Sequence, residues 1–187
     1  EAIVEFLSVM AAPVAACLAL VGIHTYLGAH VLARQVIFVD LALAQVAALG
    51  AAVGAVAGLD HDSPMAYAVA LGATLVGAGL FAITRTRNHE VSQEAVIGIS
   101  YAVAAAATIL VMNRLPHGAE EIEALLVGSI LWVSWSDILV TTALYGAVGL
   151  LHWVWRDRFL TISYDPDEAA RRGYNIRAWD FAFYAMF

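Results

Sequence analysis

Residues Leu41–Leu59 read LALAQVAALGAAVGAVAGL, 19 positions without an Asp, Glu, Lys or Arg. About 20 mostly apolar residues are enough for a helix to cross a bilayer. Similar charge-free intervals lie on both sides: 28 residues from Phe6 to Ala33, 22 from Ser63 to Thr84, 19 from Ala95 to Asn113 and 18 from Ile138 to Trp155. The pattern predicts an all-α, polytopic bundle with five spans, near Phe6–Ile23, Val36–Gly58, Met65–Thr84, Ala95–Asn113 and Ile138–Trp155. One further interval, Ala124–Ser136, has only 13 residues. That is too short to cross and predicts a re-entrant or interfacial piece packed inside the bundle. A last apolar stretch begins near Ala178 and stops at Phe187. With Glu rather than Met at position 1, this predicts a single transmembrane domain over 1–187 whose later spans are missing.

Composition agrees. Of 187 residues, 62% are apolar and 13% charged, against about 45–50% and about 25% in soluble domains. The net charge of −7 argues against a nucleic-acid partner. A lone Cys17 forms no internal disulfide and is expected as a small core residue. All nine basic residues are arginines. If the N-terminus lies outside and each span crosses, Arg34, Arg85, Arg87, Arg156, Arg158, Arg171, Arg172 and Arg177 fall inside, and only Arg114 falls outside. This is the bias of a membrane protein oriented by its positive loops. The outer segments then collect Asp60, His61, Asp62, His117, Glu120, Glu121 and Glu123, which either attract cations or form solvated loops.

The inner segment 156–177 holds a clear helix start. Asp165 can cap, Pro166 suits the first helical position, and Glu168 stands three residues after the cap. Arg171 and Arg172 close the last turn, and Gly173 can take the left-handed stop. Such a short helix either ties two spans together or docks a cytoplasmic partner. Within the spans, Gly50, Gly54 and Gly58 make a GxxxGxxxG face for close helix packing. Asp40 is the one carboxylate well inside an apolar segment. It is expected to face the bundle interior, as a pathway residue or as a group near the inner end that is neutral or paired with Arg34. Gln45 lies about 140° round the helix from it. His24 and His30 flank the first inner turn, at a spacing unlike a helical ligand pair. His89, Glu90 and Glu94 cluster where the fourth span begins, with Ser92 as its cap. No phosphate-binding loop, nucleophile elbow or H-E-x-x-H is present, so the chain is expected to be no enzyme.

Four stretches, in order, resemble the membrane permease of the zinc/manganese/iron-type ABC importers. They are GAHVLARQVIFVDLALAQVAALGAAVG (Gly28–Gly54), SQEAVIGI (Ser92–Ile99), LVGSILWVSWSD (Leu126–Asp137) and ISYDPDEAARRGYNI (Ile162–Ile176). The resemblance implies a bacterial inner-membrane permease that moves a divalent metal ion as substrate, with no permanently bound cofactor. It also implies a separate ABC ATPase, an extracytoplasmic metal-binding protein and a pair of permease copies. The ATPase contact would be Asp165, Pro166, Asp167, Glu168, Arg171, Arg172 and Gly173. The substrate pathway would include Asp40, Gln45 and Glu94, with Asp40 as the metal-binding candidate. The family usually shows Gly-Asp followed four residues later by His in the second span. Here Leu41 and Gln45 stand at those two positions, and Asp40 is shifted by one. Gln ligates Zn²⁺ and Mn²⁺ poorly, so metal ligation does not transfer to Leu41 or Gln45. A membrane anchor or assembly subunit that transports nothing is the alternative.

Overall fold

The computed structural model describes residues 2–60, 63–85, 92–115, 118, 120, 130 and 133–187, with only the backbone described for 2–5, 7 and 8. The expectations for His61, Asp62, Arg87, His89, Glu90, His117, Glu121, Glu123 and most of Ala124–Ser136 lie outside these residues. Among the described residues all regular structure is helical: α1 (Ala2–Arg34), α2 (Val39–Val56), α3 (Pro64–Thr84), α4 (Gln93–Met112), α5 (Trp135–Val154), α6 (Arg156–Tyr164), α7 (Pro166–Arg171) and α8 (Ile176–Met186). Five of them are long and apolar enough to cross a membrane.

The helix starts follow their caps. The Ser63 side chain accepts from the Ala66 N–H, with Pro64 at the first turn of α3, and the Ser92 side chain accepts from the Ala95 N–H to open α4. Ser134 and Asp137 form a reciprocal box at the start of α5. The Asp137 N–H donates to Ser134 Oγ at 3.2 Å and the Ser134 N–H to Asp137 Oδ2 at 3.1 Å, and α5 therefore begins at Trp135 rather than at Ile138. Phe38 offers α2 no side-chain cap. Its N–H instead donates to Glu94 Oε1, in the first turn of α4, at 3.0 Å.

α1 departs most from expectation. It continues from the first span through His24, Thr25, Tyr26 and His30 to Arg34, so both histidines lie on the helix and not beside a turn. Their polar groups do not stop a helix whose backbone bonds are already made internally: His24 Nδ1 and Thr25 Oγ1 bond the carbonyls of Leu20 and Val21, one turn back. The chain reverses at Gln35, which holds the left-handed φ of 57°.

α2 packs against both α3 and α4, while α1 packs against α5 and α6, and α8 against α3. A Cβ added at Gly50 would stand 2.7 Å from Ala73 Cβ and 2.9 Å from Ala70 Cα. At this point α2 and α3 touch backbone to backbone. Gly54 is buried but has ordinary room, and Gly58 lies past the end of α2 with φ 83°. The expected three-glycine packing face thus reduces to Gly50 and Gly54, because α2 ends at Val56 and Gly58 turns the chain. Cys17 is exposed rather than in the core. It lies on a helix whose outer side is apolar, with Val14, Leu18 and Val21 exposed beside it. The buried core gathers at one end of the bundle, where Leu27, Val39, Phe81, Ile97, Phe159 and Phe183 are each fully buried. This is also the end that holds Arg34, Arg85 and the segment 156–177.

Candidate functional site

The arginine-rich end is built around one carboxylate. Asp180, in the first turns of α8, is wholly buried. Arg34, the last residue of α1, donates from Nη1 to Asp180 Oδ1 at 2.6 Å, and its side chain is only 1% exposed. Arg85, which caps the C-terminus of α3, donates from Nη1 to both carboxylate oxygens, at 2.6 and 2.7 Å. A buried carboxylate is tolerated only when paired and hydrogen-bonded, and two guanidiniums satisfy that here. The Arg34 guanidinium also lies 4.0 Å over the Phe183 ring, a favourable position for a cation on an aromatic face.

The network reaches α6 through Ser163. Arg34 Nε donates to Ser163 Oγ at 2.8 Å, and His30 Nδ1 lies 2.8 Å from the same oxygen. Guanidinium nitrogens only donate, so the serine accepts from Arg34, and its bond with His30 Nδ1 runs in the direction the ring tautomer sets. Arg85 Nη2 donates to the Ile162 carbonyl at 3.4 Å. Aromatic rings close the site: Tyr26 meets His30 and His152 edge-on at 4.9 and 5.6 Å, and His152 stacks on Phe159 at 4.2 Å. Four elements, α1, α3, α6 and α8, are joined by side chains at positions 30, 34, 85, 163 and 180. From the sequence, Arg85 is only a marker of orientation and Arg34 is that or a partner for Asp40, while Ser163 and Asp180 do not stand out as site residues. The one signal was Asp180 itself, a carboxylate opening an apolar stretch.

Beside this network stands the capped helix. Asp165 Oδ1 accepts from the Glu168 N–H at 2.9 Å and Gly173 holds φ 74°, so α7 starts and stops as expected. The Glu168 carboxylate does not reach back to the cap. It accepts from Arg171 Nε at 2.9 Å and Arg172 Nε at 2.8 Å, one turn further on. Those two guanidiniums, Arg172 first, hold the Glu168 carboxyl below the usual carboxylate range. α6 was not expected, and it is bonded to the far end of α7: Tyr174 Oη donates to Asp157 Oδ2 at 3.1 Å and Arg172 Nη1 at 3.5 Å. A groove of about 790 Å³ runs between these pieces, lined by Arg34, Arg85, Tyr164, Asp167, Tyr174 and Arg177 among others.

The expected pathway residues do not converge. Asp40 is exposed, in the first turn of α2, and does not face the interior of this chain. An aspartate there gains from the positive end of its helix, and its expected partner Arg34 is taken by Asp180. Gln45 is half-buried on α2. Glu94 caps α2, as described above. Among the described residues no group of three or more His, Cys, Asp or Glu is placed to hold a metal ion.

Comparison with known proteins follows the fold. Among solved structures the chain is similar to one titled PsaBC from Streptococcus pneumoniae in complex with Fab, with a TM-score of 0.72 and 18% identity. The match covers 98% of this chain and 65% of the other, so this chain spans about two thirds of the length of the one it matches. No curated protein matches. The model of the ABC 3 transport family matches residues 6–187. The chain, a multi-pass helical membrane protein, belongs to the ABC 3 transport family.

Proposed function

We infer that the chain is the permease of an importer that carries a divalent metal ion of the zinc, manganese or iron class across the bacterial inner membrane. A separate ATPase drives it, an extracytoplasmic binding protein delivers the ion, and two permease copies form the channel. The N-terminus lies outside and the arginine-rich end faces the cytoplasm, in keeping with the positive-inside bias. One observation supports the reading most within this family: a short helix, capped at Asp165 and stopped at Gly173, projects from the arginine-rich end. A capped helix passes on a push that a loop of equal length would absorb, and α7 is therefore the ATPase contact, through Asp165, Pro166, Asp167, Glu168, Arg171, Arg172 and Gly173. The ion route runs by Asp40, Gln45 and Glu94, with Asp40 turned toward the second copy.

The test is uptake of Zn²⁺ and Mn²⁺ into vesicles holding the full-length protein and its ATPase, with Asp40→Asn alongside wild type. Loss of uptake in Asp40→Asn with normal insertion supports the route, and unchanged rate and ion preference remove Asp40 from it. A second reading, an anchor subunit without transport, is favoured by the exposed Asp40 and the absence of a three-ligand cluster among the described residues. ATP-dependent uptake by the assembled complex excludes it.

A further inference from the structure

α7 touches the rest of the chain lightly, burying only Ala169. It is nevertheless not free to move alone. Tyr174 and Arg172 bond Asp157 near the start of α6, and α6 runs directly into Asp165, the cap of α7. α6 and α7 therefore form one piece. That piece is fastened to the membrane helices at its other end, two residues before the cap. Ser163 is held by His30 and Arg34 of α1, and the Ile162 carbonyl by Arg85 at the end of α3. The other contacts of α6 are the Arg158 guanidinium over the Trp179 and Tyr174 rings and the apolar packing of Phe159 and Ile162, and ring and apolar faces can slide. The polar ones cannot. Arg34 and Asp180 are 1% and 0% exposed, so a sliding motion would leave charges without partners where water cannot replace them.

We propose that Asp180 is a positioning residue for transport: by clasping Arg34 and Arg85 it aims both at α6, so that displacement of α7 moves the ends of α1, α3 and α8 as one body. This rests on α7 being the ATPase contact. Charge neutralisation alone would explain the burial equally well, and the two differ in what a balanced replacement does. Wild type holds two guanidiniums and one carboxylate. Asp180→Asn with Arg34→Gln leaves one guanidinium, that of the partly exposed Arg85, and no carboxylate, the same net charge, but removes the clasp.

The experiment uses the full-length permease with its ATPase in proteoliposomes, with Zn²⁺ and Mn²⁺ as the transported probes. The double variant should insert and copurify with the ATPase at wild-type amounts and hydrolyse ATP at a comparable rate. Ions moved per ATP should fall at least tenfold, and Asp180→Glu should recover part of that ratio. Ser163→Ala keeps every charge and loses only the hydroxyl between α1 and α6. It should lower the ratio in the same direction, and it serves if the double variant does not fold. A wild-type ratio in either variant overturns the proposal and leaves Asp180 as a buried counter-ion. Failure of the docking reading is seen separately: if Arg171→Glu with Arg172→Glu leaves ATPase copurification intact, α7 is not the contact and the proposal falls with it.

Discussion

Arg34 and Asp180 are 146 positions apart in the chain, and their side chains meet at 2.6 Å with almost no exposure. This pair joins the end of the first helix to the start of the last one described. Removing the carboxylate strands two guanidiniums. Asp180→Ala should lower the stability of the purified protein by about 3–5 kcal/mol, the usual cost of breaking a buried pair. Asp157→Ala, at a carboxylate largely open to water, should cost no more than about 1 kcal/mol. Thermal unfolding in detergent measures both, and equal shifts would contradict the burial argument.

The α2–α3 contact makes a prediction of opposite kind, because here something is added. Gly50→Ala places a methyl 2.9 Å from the Ala70 backbone, which cannot yield as a flexible side chain would. Overpacking of this sort costs about 1–3 kcal/mol. Gly54→Ala meets nothing closer than Leu59 Cδ1 at 3.5 Å and should leave the melting temperature unchanged.

Loss of the cap at Asp165 should loosen α7 by about 0.5–2 kcal/mol. Hydrogen exchange across 166–171 in Asp165→Ala reads this directly, as faster exchange there and unchanged exchange in α5. Uniform acceleration would mean that the cap holds more than its own helix.

Acid should act on α7 through Glu168. Its carboxyl is depressed in the folded chain, chiefly by Arg172 and then by Arg171. Such a group adds stability that is present above the unfolded value, about 4.3, and is lost as pH falls through the lower folded value. Protection of residues 166–171 should therefore hold from pH 8 to 5 and decline only below about pH 4. In Glu168→Gln that acid step should be absent.

Orientation is tested by labelling cysteines on a Cys17→Ser background, since Cys17 is itself exposed. Ala169 is wholly buried and would be a poor probe. Arg171→Cys should react only from the cytoplasmic side, and Asp60→Cys only from the outside. Reversed access would overturn the assignment of the arginine-rich end.

The spans were legible because an apolar stretch of the right length has few alternatives in a bilayer. Met65–Thr84 against α3 and Ala95–Asn113 against α4 differ by only one or two residues at an end. The cap at Asp165 and the stop at Gly173 were legible for a similar reason, since both are local. The first helix was cut short because polar residues such as His24 and Thr25 suggest a loop, whereas a helix satisfies them on its own carbonyls. The buried network was not legible beyond the single hint of Asp180. Positions 30, 34, 85, 163 and 180 share no spacing, and each side chain has an ordinary local explanation until the fold brings them together. Glu94 shows the converse. It was read as a pathway residue, and its observed bond is to the Phe38 backbone of a neighbouring helix that has no cap of its own.

The sequence separation within the Asp180 cluster also bears on how the chain is made. Arg85 precedes its partner by 95 residues. At about 5–20 residues per second, synthesis takes about 5–20 s to supply Asp180 after Arg85. Throughout that interval the helices that include Arg34 and Arg85 are already being inserted. Long arginine side chains can wait at the headgroup boundary, with their charge in water. The ion pairs of this end therefore close only after Asp180 is made, so its final packing falls late in synthesis, when both arginines gain their counter-ion at once.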